Sequence, residues 1–113
     1  MATLFKATNI DLAAGHDYDR PTVYAPGTDV TATDWIDNDL CGGGLHLSPH
    51  PRMAASYRSS AERGMRFLKV TVPVKSLRPL GDDKCKVPSC RVVAEVDAHG
   101  RELAVATPVP VEV

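Results

Sequence analysis

A chain of 113 residues, 43% hydrophobic and 24% charged, fits one globular domain and excludes collagen-like and disordered classes. Its net charge of −1 hides an uneven distribution: −5 over residues 1–51, +7 over 52–91 and −3 from Val92 onward. No apolar run approaches the ~20 residues of a membrane helix, which excludes a helical span.

In chain order, Thr3 to Thr8 reads as a strand, with Leu4 and Lys6 on one face and Phe5 and Ala7 on the other. Asn9 to Pro21 reads as a loop. Thr22-Val23-Tyr24 is a short strand stopped by the turn signal Pro26-Gly27, and Asp29 to Thr33 is another. The acidic stretch Asp34 to Asp39 surrounds the only tryptophan, Trp35, whose ring is expected to pack under a loop. A calcium loop is not expected there, because the required glycine and terminal glutamate are missing. A helix is expected over about residues 49–63, capped by the Ser48 hydroxyl and closed by Gly64, with Met53, Ala54, Tyr57 and Ala61 inward. Met65 to Val72 is a strong strand with Leu68, Val70 and Val72 on its core face. Arg91 to Val96, a turn at Ala98-His99-Gly100 and Glu102 to Ala106 form a hairpin. Residues 107–113 are an edge strand or a loose tail, because Pro108 and Pro110 lack ladder donors. The expected fold is a single α+β domain over 1–113: a twisted, mainly antiparallel sheet with one helix packed on it.

The densest run of unusual residues is Cys41-Gly42-Gly43-Gly44-Leu45-His46-Leu47-Ser48-Pro49-His50. Leu45 and Leu47 anchor a strand, so His46 projects from the other face, beside glycines that allow a close approach. Gly44, His46, His50 and Tyr57 are therefore candidate binding residues. Cys41, His46, His50, Cys85 and Cys90 hold enough sulfur and nitrogen for a zinc ion, but the spacings match no standard finger. Thiols acting as small hydrophobes are the alternative, and the expectation is no metal. Lys84 and Lys86 flank Cys85 and would favour its thiolate. The basic middle segment invites an anion-binding reading. The expectation is instead that segments of opposite charge neutralise one another within the fold, with too few aromatics for a nucleic-acid platform.

The series Leu4-Phe5-Lys6-Ala7-Thr8, Tyr24-x-x-Gly27, Cys41-x-x-Gly44-Leu45-His46, Arg66-Phe67-Leu68-Lys69-Val70 and Arg91-Val92-Val93-x-Glu95-Val96 resembles a family of small uncharacterised bacteriophage and prophage proteins. The resemblance implies a phage-type origin. A looser likeness is to the core of ADP-ribosyltransferase-like domains. That likeness implies NAD as cofactor, Lys6 or Thr8 on the first strand, and His46, Ser48 and Glu95 as catalytic residues.

With no carboxylate pair, triad spacing or phosphate loop, the expected function is a phage-type accessory protein that binds a host protein, a phage protein or the virion. It would act without nucleic acid, membrane or cofactor. The N-terminus lacks the basic region and apolar core of a signal peptide, so host cytoplasm or virion is the expected location. An NAD-using transferase is the alternative, and a zinc-stabilised binding domain is the second. A cleft lined by His46, Ser48 and Glu95 would favour the enzyme.

Overall fold

A computed structural model describes residues 1–14, 22–40, 42–55 and 65–103. Nine strands and one short helix follow in order: β1 (Ala2–Thr8), β2 (Ala13–Ala14), β3 (Thr22–Val23), β4 (Asp29–Thr31), β5 (Leu45–Leu47), α1 (Pro51–Ala55), β6 (Arg66–Val72), β7 (Arg78–Pro79), β8 (Cys85–Val87) and β9 (Ser89–Val96). The domain is α+β and dominated by antiparallel sheet. No helix among the described residues is long and apolar enough to cross a membrane.

Among the described residues β2 pairs with β3, the main sheet has the order β1-β6-β9-β4, and a second sheet has the order β5-β8-β7. Two junctions join the last two. Pro88 bends the chain between β8 and β9, and its carbonyl accepts the Ala32 N–H at 2.8 Å, tying the bend to the end of β4. Ser48, just past β5, pairs with Phe5 on the free edge of β1 through both backbone bonds, at 2.7 and 3.0 Å. The strands thus close a circuit from β1 through β6 and β9, around Pro88 into β8 and β5, and back to β1.

The alternation expected for β1 and β6 holds: Leu68, Val70 and Val72 are fully buried. Register sets rows across the inner face. Leu4, Val70 and Val92 form one row; Lys6, Leu68 and Glu95 form the next; Thr8 and Arg66 form the last. The face is apolar at one end and ionic at the other. A bulge makes this possible. Val70 pairs with Val92 but Lys69 with Ala94, which leaves Val93 as an extra residue. Unbroken alternation from Val92 would turn Glu95 outward; the bulge turns it inward.

There Glu95 meets Arg66 in a bidentate pair, with Nε and Nη2 each donating at 2.8 Å. Arg66 Nη1 also donates to the Ile10 carbonyl at 3.0 Å, joining the loop after β1 to β6 and β9. On the opposite face, Pro51 and Ala54 of α1 are buried, and Gly100 lies against Phe5 and Pro51. The helix spans five described residues of the expected 49–63; residues 56–64, including Tyr57, lie outside the described set, as do 104–113. Its first turn is served by His50, whose Nδ1 accepts the Arg52 N–H at 3.2 Å. Ser48, expected as the cap, is instead held by β1, two residues too early to reach that turn.

Among the described residues, four of the ten basic residues of the segment 52–91 pair with acids from outside it. Arg66 pairs with Glu95, Lys69 with Glu102, Arg78 with Asp37 and Arg91 with Asp29. Of these, the pair between Arg66 and Glu95 is the buried one and carries the energetic weight. Glu95→Ala is expected to destabilise the domain by about 3–5 kcal/mol, because it strands the Arg66 guanidinium. The double variant Arg66→Met, Glu95→Leu should recover most of that loss. Urea unfolding of both variants measures it.

Candidate functional site

β5, β8 and β7 place His46, Lys86 and Arg78 side by side, because His46 and Arg78 are both register partners of Lys86. Leu45, Leu47, Cys85 and Val87 take the other face and enter the core. Three basic side chains on adjacent strands lie roughly 5 Å apart and repel one another unless they are screened or paired.

The segment 34–44 closes over this row and pairs it. Lys86 is fully buried; its Nζ donates to Asn38 Oδ1 at 2.6 Å and to the Gly42 carbonyl at 3.1 Å, 5.5 Å from the centre of the Trp35 ring. Arg78 donates from Nε and Nη2 to the Asp37 carboxylate at 2.7 and 3.4 Å. The Gly42 N–H donates to His46 Nε2 at 3.3 Å, a contact that requires the neutral ring with its proton on Nδ1. Burial lowers the His46 pKa, and the positive charges of Lys6, Lys84 and Lys86 lower it further. The neutral acceptor form is therefore the favoured one.

The glycines let the loop sit this close. A Cβ on Gly44 would lie 2.8 Å from the Trp35 ring, and one on Gly43 would lie 2.7 Å from Ile36. Trp35 thus packs under the glycine run, as the sequence suggested. His46 projects away from the core as expected, but it is half-buried under the loop rather than standing on an open surface.

Behind this sheet lies a second buried amine. Lys6 Nζ donates to the His46 carbonyl at 2.9 Å and lies 5.5 Å from the centre of the Tyr24 ring. Desolvation brings its pKa down to about 8.

The residues expected to converge for transferase chemistry are kept apart. Ser48 is buried beside β1, and Glu95 lies on β9 with β1 and β6 between. Three strand spacings separate them, about 14 Å. Glu95 is also engaged by Arg66. Of the expected zinc ligands, Cys85 and Cys90 are buried in the core, whereas His46 projects from the opposite face of its sheet. Cys41 lies outside the described residues, and among those described no three potential ligands cluster. Burial pushes both thiols up to about 11, against the reactive thiolate that the flanking lysines suggested for Cys85. His50 is exposed at the start of α1, away from the loop-capped row.

A family model described as a domain of unknown function, DUF7666, matches residues 2–103. The chain belongs to the DUF7666 family. No curated protein and no solved structure matches it. The family's match runs from the first strand to Leu103, so it takes in all nine described strands and the loop of this DUF7666 domain.

Two predictions follow from this geometry. Gly44→Val is expected to cost about 2–3 kcal/mol or more by driving into Trp35 and the Val87 carbonyl. Gly42→Val meets open space and incurs only the strain of its φ of +87°, roughly 1–2 kcal/mol. Paired melting curves decide the order.

Lys6 predicts a rise in stability with pH. Between its folded value of about 8 and the ordinary 10.5, the unfolded chain holds a proton that the folded chain lacks. Stability gains up to about 3 kcal/mol across that window. Tyr24, Cys85 and Cys90 act in the opposite sense, since burial favours their protonated forms. The Lys6 effect is therefore read as the difference between wild type and Lys6→Met, which should be the more stable of the two at pH 7.

Proposed function

We propose that this DUF7666 domain works by binding a protein partner rather than by chemistry. The observation that carries this reading is the loop 34–44. It is pinned by Lys86, Arg78 and close glycine packing, yet it leaves Ile36 and Leu40 exposed. A rigid protrusion bearing aliphatic side chains loses little conformational entropy when it docks. The separation of Ser48 from Glu95 along the sheet, and the commitment of Glu95 to Arg66, argue against NAD chemistry by His46, Ser48 and Glu95 together.

The resemblance to bacteriophage and prophage proteins supports a host protein, another phage protein or a virion component as the partner. The host cytoplasm or the virion is then the place of action. Incubating the purified protein with labelled NAD and host extract tests the reading: neither NAD cleavage nor label transfer is expected. NAD turnover that falls with His46→Ala or Ser48→Ala would overturn it.

A further inference from the structure

The ion pair between Arg78 and Asp37 does more than cover Lys86. Besides gripping the Asp37 carboxylate, Arg78 Nη1 donates to the carbonyls of Lys75 at 2.9 Å and Leu77 at 3.2 Å. One guanidinium thus joins the 34–44 loop to the short 3-10 turn Val74–Ser76. Next to Asp37 stands Ile36, 56% exposed, with Leu40 at 68% nearby on the same loop. Next to Lys75 stands Val74, at 64%. Through Arg78, the loop that exposes Ile36 and Leu40 is thus tied to the turn that exposes Val74. Exposed apolar side chains beside an anchored arginine have the composition of an interface centre.

Resting on the binding reading above, we infer that Ile36, Leu40 and Val74 form the contact surface for a protein that presents an apolar socket rimmed by lysine or arginine. Charge complementarity selects that occupant. The segment 34–40 carries Asp34, Asp37 and Asp39 and no basic residue. Arg78 offsets Asp37 and the exposed Lys75 stands beside Val74, while Asp34 and Asp39 are exposed on the loop itself, so the loop side of the surface is the acidic one. A basic rim on the partner would meet these two carboxylates and set the orientation of docking. The surface is already built before the partner arrives. The Ile36 N–H donates to the Gly43 carbonyl at 2.9 Å, and the Leu40 N–H to Asn38 Oδ1 at 3.0 Å, so the residues that carry the aliphatic side chains are themselves hydrogen-bonded.

Photocrosslinking in the producing cells tests this. Benzoylphenylalanine is placed singly at Leu40, Val74, Val23 and Val93, all exposed, and each product is checked for an unchanged melting curve. A single protein adduct is expected at Leu40 and Val74 but not at Val23 or Val93. Its crosslinked peptide should combine apolar residues with flanking lysine or arginine. Asp34→Lys combined with Asp39→Lys should lower the adduct yield by about tenfold. Adducts confined to Val23 or Val93 would overturn the surface while leaving the binding reading standing. Self-crosslinks of the chain, lipid adducts at Leu40, or a yield indifferent to the two lysine substitutions would overturn the proposed partner chemistry. Absence of adducts at every position would overturn both.

Discussion

A buried ammonium group decides how the loop over the second sheet is arranged. Lys86 lies in the middle strand of that sheet, between His46 and Arg78, and withdrawing its charge from water is costly unless oxygen and aromatic partners surround it. Asn38, Gly42 and Trp35 all come from one segment, so satisfying Lys86 fixes the placement of these three residues. From that placement follow the closeness of Gly43 and Gly44, the half-burial of His46 and the outward pose of Ile36 and Leu40.

The inner face of the main sheet applies the same logic with the signs paired. Lys6 relies on a carbonyl and an aromatic ring, whereas Arg66 has a full carboxylate. That difference separates a side chain whose charge opposes folding at neutral pH from one whose partner cannot be removed without a large loss. Both lie in the rows beyond Leu4, Val70 and Val92, so the polar end of the face is a narrow band next to an apolar one.

Much of the fold was legible in the sequence where alternation was clean. Leu68, Val70 and Val72, and Leu45 and Leu47, identified their core faces because period-two patterning leaves one choice. Lys6 was already on the Leu4 face of its strand. What escaped was set by partners distant in sequence. Nothing local marks Val93 as an extra residue, so Glu95 stood as a catalytic residue implied by the transferase likeness rather than as the counter-ion of Arg66. Lys86 read as one of two lysines flanking Cys85; its burial depends on a loop more than 40 residues earlier. For the candidate site, the glycine run marked a close approach, but not of the kind expected. Those glycines bring the chain's own Trp35 and Ile36 close, not a foreign substrate.

Pro88 gives the architecture a mechanical property. Since β8 and β9 are one run of chain shared between two sheets, a pull or a thermal fluctuation that frees β9 from β6 also loads β8 against β5. Peeling one layer strains the other, so the two sheets are expected to melt together. The amides slowest to exchange with solvent then sit on β6 and β9 and continue around the bend into β8, so the loop over Lys86 is mounted on the least yielding part of the molecule.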